Sequence, residues 1–475
     1  MKTIINQYID NKMDQISQIN EQIWDYAEIG LEEMKSVALY EKLLKEEGFN
    51  VTTDIAGMPT AFVAEYGSGK PVIGITAEYD ALPQLSQEAG KAEQSPIVEG
   101  GHGHGCGHNS LGAAAFGGAL AVKEYLKNNH KEGTIKLFGC PSEEKDNGKA
   151  FMARDGYFDD VDAAFTWHPM DRNEAWSGGS LANISVIFHF KGTTAHAAAS
   201  PHLGRSALDS VEIMNIGANY LREHIIPEAR LHYAYVDVGG NAPNVVQGSA
   251  SVHYLIRAPK VDAVLEIFER LKDVAKGAAL INGTEHSYEV LTGLSDFIPN
   301  HVMTKVIHES MEEFGAPAFD EADFKTAKKF FASLTESEQK TVETNLKQQH
   351  GTEKTKEILD RPLDTYIAPL NFEAPMLPGS TDVGDVSYVT PTAQFTLATT
   401  ALGTSPHTWQ MVAQGNTPMA LKGVKAASGI LALAAIKVLE NPELAKQARK
   451  ELNEVTGGTY TSLIPEDVKP NVAKK

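Results

Sequence analysis

Three apolar stretches, each ending on residues that can bind a metal or move a proton, constrain this chain more than any other feature. Pro71-Val72-Ile73-Gly74-Ile75-Thr76 leads into Glu78-Tyr79-Asp80-Ala81-Leu82-Pro83. Thr134-Ile135-Lys136-Leu137-Phe138-Gly139-Cys140 leads into Pro141-Ser142-Glu143-Glu144, and Ala163-Ala164-Phe165-Thr166-Trp167 into His168-Pro169. Continuous apolar runs of this kind read as central strands covered on both faces. That is the grammar of an α/β sheet, which keeps its sites at the carboxyl ends of its strands. Asp80, the Glu143–Glu144 pair and His168 are therefore expected to converge at one sheet edge.

Between the first two strands lies Gly101-His102-Gly103-His104-Gly105-Cys106-Gly107-His108-Asn109, just ahead of an Ala/Gly-rich helix from about Leu111. Glycines let the backbone turn tightly and draw donor atoms together. Thiolate and imidazole are the ligands that borderline-soft divalent metals take. Taken alone, Cys106-x-His108 fits equally well a buried cysteine beside a structural histidine; the acidic residues and His168 nearby turn the reading toward a metal site.

Upstream, apolar spacing of three and four from about Ile4 to Ile29 predicts one amphipathic helix, and Ser36–Glu47 a second. From about Asn183 the pattern changes. Strand Ile184–Phe190, helix Ser206–Glu223, strands Leu231–Val238 and Ala250–Ile256, helix Val261–Ile281 and strand Glu285–Leu291 spell β-α-β-β-α-β, a ferredoxin-like unit. The expected division is a discontinuous metal-binding domain, 1–183 with 296–475, interrupted by an inserted domain at 184–295. Residues 320–361, rich in Lys and Glu, read as a solvated helical elaboration without chemistry. Near the end come strand Ala393–Leu397, the turn Gly403-Thr404-Ser405-Pro406-His407-Thr408 and helix Met419–Leu439. Gly379–Val386 reads as a turn-rich approach, and the tail after Pro465 as lacking fixed structure.

At 475 residues two or three domains are expected. A formal charge of −20 argues against a nucleic-acid partner, which needs clustered Lys and Arg. Two cysteines make no disulfide framework and suit a reducing compartment. The first residues carry no apolar signal region, and the sequence offers no run of about 18 apolar residues, so a cytoplasmic protein is expected.

Adjacent glutamates at a strand end can divide labour, Glu144 ligating a metal while Glu143 takes the proton of the attacking water. A single catalytic ion typically keeps three protein ligands and an open position. Cys106, His108, Glu144, His168 and His407 are too many for one such ion. They suit a pair, Zn²⁺ or Mn²⁺, about 3.5–4 Å apart. The expected reaction is metal-assisted hydrolysis of an amide.

Gly-Cys-Gly-His-Asn at 105–109, Pro-Ser-Glu-Glu at 141–144, Thr-Trp-His-Pro at 166–169 and the β-α-β-β-α-β insertion resemble the M20 metallopeptidase/amidohydrolase family. Within it the match is to the amidohydrolase branch that carries a cysteine ligand. The likeness extends through Ser200–Asp209, Ser380–Ser387 and His407-Thr408-Trp409-Gln410. It implies an α/β, phosphorylase/hydrolase-like catalytic domain with a mixed central sheet, plus an inserted ferredoxin-like dimerisation domain. It implies Cys106, His108, Glu144, His168 and His407 as ligands and Glu143 as general base. His196 would reach the partner's active site in a dimer and stabilise the oxyanion. Asn244 and Arg257 would bind the substrate's carboxylate end, for which a planar guanidinium is suited.

Many family members carry a metal-binding histidine where Glu78 stands, so Asp80 is expected to orient a ligand rather than to be one. His102 and His104 receive no role. The resemblance implies cleavage of an N-acyl or N-aroyl amino acid, with p-aminobenzoyl-glutamate the best single substrate. A general aminoacylase or dipeptidase is the alternative enzyme. A non-catalytic binding subunit is the alternative of another class, opposed by the presence of every ligand and of Glu143. A homodimer or a related A-type subunit would be the partner.

Overall fold

The apolar runs form the middle of a seven-stranded sheet in a computed structural model that describes residues 1–377 and 379–472. The strands in chain order are β1 (Asn50–Ile55), β2 (Met58–Ser68), β3 (Val72–Glu78), β4 (Gly133–Cys140), β5 (Ala163–Met170) and β6 (Glu174–Trp176). They continue with β7 (Ala182–Lys191), β8 (Arg230–Asp237), β9 (Ser249–Ala258), β10 (Glu285–Leu294) and β11 (Thr392–Ala398). The first sheet has the order β1-β2-β4-β3-β5-β11-β6. β3 pairs in parallel with β4 and β5, and β5 with β11, while β1, β2 and β6 are bound antiparallel, so the sheet is mixed. Every residue of β3 is buried, as expected of a strand covered on both faces.

Helix His108–Asn129 packs against helix Pro418–Glu440 in the layer over this sheet. Small residues make the close approach possible: a Cβ on Gly117 would sit 2.4 Å from Ser428 Oγ. Helix Pro418–Glu440 is long and apolar enough to cross a membrane by length and composition, although Lys422, Lys425 and Lys437 interrupt its apolar run. In the fold, 83% of its apolar window is buried among core side chains.

β7 to β10 form a second, wholly antiparallel sheet, order β10-β7-β9-β8. Helices Ala207–Leu221 and Val261–Asn282 follow β7 and β9, and a separate core forms around Ile184, Val186, Phe188, Tyr254 and Leu271.

Four local readings need correction. The first helix is two, Lys2–Asp10 and Met13–Tyr26; the break at Asn11-Lys12 lets Lys12 reach Glu47. Part of the turn-rich approach is the helix Val383–Val389. His168 lies within β5, not beyond its end. The tail after Pro465 is held in place: Arg154 donates to the carbonyls of Pro465 and Val468, next to buried Leu463 and Ile464. The last three residues of that tail lie outside the described residues.

Candidate metal centre

The carboxyl end of β3 delivers Glu78 and Asp80, both buried. Asp80 Oδ1 lies 2.8 Å from His108 Nδ1, and Asp80 Oδ2 accepts the backbone N–H of Glu144 at 3.0 Å. One carboxylate thus orients two donor-bearing residues from different loops. His108 opens its helix directly after Gly107, whose φ of 74° favours glycine. A Cβ on Gly107 would meet Met411 and Pro169 at 2.7 Å, so the turn that brings Cys106 beside His108 needs a glycine for space as well.

Cys106 Sγ lies 3.4 Å from His168 Nε2. The other ring nitrogen of His168 is 3.0 Å from the Pro169 carbonyl; donating there leaves the Nε2 lone pair facing the thiol. His407 arrives from the far end of the sequence on a backbone with φ of 62°, its N–H bonded to the Gly105 carbonyl at 2.7 Å. Its Nε2 is 3.2 Å from Glu144 Oε1. Potential ligand atoms within 4.8 Å of one another form three groups: Cys106, His108 and His168; Cys106, Glu144 and His407; and Glu78, His108 and Glu143. Cys106 belongs to the first two groups, His108 to the first and third.

Burial works to raise the Glu144 pKa, but the close approach of His407 and the charge of His108 overcome it and hold the carboxyl down at about 2. The same approach raises His407. Burial pushes the Cys106 thiol up and His168 down. Glu143 is pushed well above the usual carboxylate range by burial and by the charges of Glu78 and Asp382. His108 Nε2 and Glu144 Oε1 are buried, and their 3.2 Å approaches to Glu78 Oε2 and His407 Nε2 are not well-formed hydrogen bonds, which leaves both atoms without one among the described residues. Orphaned donor atoms of imidazole and carboxylate beside a thiol are what a borderline-soft divalent cation would satisfy, so the residues present fit one.

Sequence reasoning missed Lys149 and Asp382. Lys149 is fully buried, its Nζ 2.7 Å from Glu78 Oε1 and 2.6 Å from Asp382 Oδ1, and its backbone N–H bonds Asp382 Oδ2 at 2.8 Å. Against a burial effect of opposite sign, Lys149 keeps Glu78 below its ordinary pKa. The available signal was a buried strand-end acid, which requires a counter-charge.

Cys106, Glu143, Glu144, His168 and His407 line one side of a cavity of about 680 Å³. Met170, Trp176, Pro375 and Leu377 give it apolar walls. Gln349, from helix Glu336–Asp360, also lines it, so the helical elaboration read as lacking chemistry contributes to the site. Arg257, on β9, donates to Ser380 Oγ at 2.9 Å, and Ser380 lies on the cavity wall. His196 and Asn244 are exposed on the second sheet's loops and are not among the cavity's lining residues within one chain. His102 is exposed; His104 is buried, bonded to the Ile23 carbonyl at 2.9 Å and pushed down to about 3 by burial.

Residues 74–467 match the model of peptidase family M20/M25/M40. The B subunit of the p-aminobenzoyl-glutamate hydrolase of Escherichia coli K12 is 41% identical over 99% of this chain and 98% of its own length. An aminobenzoyl-glutamate utilization protein from Klebsiella pneumoniae superposes with a TM-score of 0.59 at 17% identity, covering 90% of this chain and 98% of the other. A dinuclear metal binding peptidase of Bacillus subtilis superposes with a TM-score of 0.58 at 16% identity, covering 91% and 99%.

Proposed function

This chain belongs to peptidase family M20/M25/M40 and is a hydrolase, and from that premise we propose that it cleaves the amide bond of N-aroyl amino acids, p-aminobenzoyl-glutamate foremost. The observation that carries this reading is the gathering of Cys106, His108, Glu144, His168 and His407 at one side of a cavity into which Glu143 also faces. In this reading those five residues would hold two divalent ions, Zn²⁺ or Mn²⁺, with Asp80 fixing His108 and the Glu144 backbone. Such ions supply Lewis acidity toward a carbonyl oxygen and a water molecule.

Glu143 takes a proton from the attacking water as its oxygen bonds to the amide carbon. It passes that proton to the amino-acid nitrogen as the C–N bond breaks, releasing p-aminobenzoate and glutamate. One positioned carboxylate can do both, accepting the proton and then returning it. Arg257 and Asn244 bind the substrate's carboxylate end. His196 steadies the oxyanion in the site of a second copy, which the inserted unit at 184–295 would dock. β8 is an edge strand with exposed Tyr233, Tyr235 and Val236, and Tyr220, Leu280 and Ile281 are exposed on the helices of the same unit, which supports a partner there. That partner is a second copy or, since the E. coli relative is one of two subunit types, a related A-type chain. Two free cysteines suit a cytoplasmic setting.

The test is a hydrolysis screen over N-acyl amino acids and dipeptides with Mn²⁺ or Zn²⁺, p-aminobenzoyl-glutamate included. Cleavage of that substrate, lost by about 10²–10⁴-fold in Glu143→Gln with metal content intact, is the expected result. Cleavage of other acyl amino acids alone would remove the substrate assignment. Less than one ion per chain with no Glu143-dependent turnover would remove the enzymatic one.

A further inference from the structure

The cavity floor is a patch of sheet where β5, β11 and β6 lie side by side. In register across them stand Thr166, Gln394 and Trp176, and in the next row His168, Thr396 and Glu174. All six line the cavity. The alternate residues Phe165, Trp167, Phe395 and Leu397 point the other way, into the main core.

The first row, with Thr396 beside it, carries unsatisfied polar atoms on buried Thr166, Gln394 and Thr396 and on half-buried Trp176. Thr166, Gln394 and Thr396 are 2%, 3% and 7% exposed. Thr166 Oγ1, Gln394 Nε2, Thr396 Oγ1 and Trp176 Nε1 have no hydrogen-bond partner among the described residues. Buried polar groups are ordinarily paired, and leaving several unpaired costs stability. Four such atoms gathered on one cavity floor identify a place where something else pairs them.

The chemistry of that ligand can be read from the floor. Among the described residues no Lys or Arg lines the cavity, and Glu174 stands in the neighbouring row of the floor, so an anionic group is disfavoured there. An amide, an indole N–H and two hydroxyls offer both donors and acceptors to an uncharged polar group. Thr166 and Gln394 stand two residues back along their strands from His168 and Thr396, roughly 7 Å from the row that borders the metal cluster. That is close to the span of a benzoyl group from its carbonyl carbon to the substituent opposite. We propose that Thr166, Gln394 and Trp176, with Thr396 at the near edge, form a hydrogen-bonding subsite that selects acyl groups carrying an uncharged amine or hydroxyl opposite the scissile carbonyl. The subsite rests on the amide-hydrolase reading above and supplies its acyl specificity.

The experiment measures kcat/KM for substrate pairs differing only in that substituent: p-aminobenzoyl-glutamate against benzoyl-glutamate, and tyrosyl against phenylalanyl dipeptides. The unsubstituted protein should favour the polar member by tenfold or more, because a site built to hydrogen-bond a group rejects the analogue lacking it. In Thr166→Val and Gln394→Met the ratio should fall toward one, with Thr166→Ser restoring it. Calorimetry should show p-aminobenzoate binding more tightly than benzoate, a difference lost in Gln394→Met. Thr166→Val should melt at the same temperature or higher, since it removes an unpaired buried hydroxyl. Ratios unchanged by the variants, or equal binding of the two acids, would overturn the subsite. If only another pair is cleaved, the substrate assignment fails while the subsite is judged on that pair; if none is cleaved, the binding comparison decides.

Discussion

Asp80 holds His108 Nδ1 at 2.8 Å with one oxygen and the Glu144 N–H at 3.0 Å with the other. A carboxylate can accept both bonds; an amide offers only one acceptor oxygen. Asp80→Asn should therefore release either the imidazole or the Glu144 loop, and the affinity for Zn²⁺ or Mn²⁺ should fall by about 10–100-fold. Calorimetric titration of metal into the apo protein measures this without reference to turnover. Unchanged affinity would mean that the contact orients nothing.

Lys149 is the cation between two buried acids, Glu78 and Asp382. Replacing it by methionine keeps much of its volume, strips Asp382 of its counter-charge and leaves Glu78 with only the histidine side, His108 Nε2 at 3.2 Å. Breaking a buried ion group by removing one partner costs about 3–5 kcal/mol. Urea unfolding of Lys149→Met should show a loss of that order. Adding Glu78→Gln and Asp382→Asn, which removes the stranded charges, should recover a large part of it.

These residues also mark where the sequence was legible. The strands β3, β4 and β5 announced themselves by apolar runs, and Cys106, His108 and Glu144 by lying in loops at their ends, where polar residues have no other reason to cluster. Asp382 and Lys149 sit at or inside short helices, where a lone acid or lysine reads as a solvated face. Thr166 and Gln394 were hidden for another reason: each alternates with core aromatics, Phe165 and Trp167 on one strand and Phe395 on the other. A two-sided strand looks apolar as a whole, and only the pairing of β5 with β11 and β6 shows that one of its faces is a cavity floor. Gln349 escaped because its helix is polar throughout, and periodicity cannot tell a solvated face from one that reaches into a site.

His196 and Asn244 stand outside the cavity of their own chain. If the proposed dimer shares its sites, His196→Ala should lower the rate of a homodimer, and Glu143→Gln should silence its own site. Mixing the two variants should then restore activity: one mixed-dimer site keeps both an intact Glu143 and the partner's intact histidine. Roughly a quarter of the unsubstituted rate is expected for random mixing, from half the dimers having one working site. Verified mixed dimers without rescue would remove the shared site.

Far from the cavity, Glu47 gives the fold a pH dependence of calculable sign. Its carboxylate lies 2.6 Å from Lys12 Nζ and 2.9 Å from Lys123 Nζ, tying the turn between the first two helices to helix His108–Asn129. Burial works to raise its pKa, but hydrogen bonds from Lys12 and Lys123 prevail and lower it from 4.5 to about 2. A depressed folded-state pKa means that the unfolded chain binds the proton more readily. The stabilisation is therefore complete above pH 4.5 and is lost as pH falls toward about 2. With allowance for solvent screening of a partly exposed pair, Glu47→Gln should cost about 1–2 kcal/mol at pH 7. Urea unfolding of both proteins at pH 7, 4.5 and 3 should show that difference held between the first two and shrinking at the third. A gap that persists undiminished at the lowest pH would assign the loss to packing around Glu47 rather than to its charge.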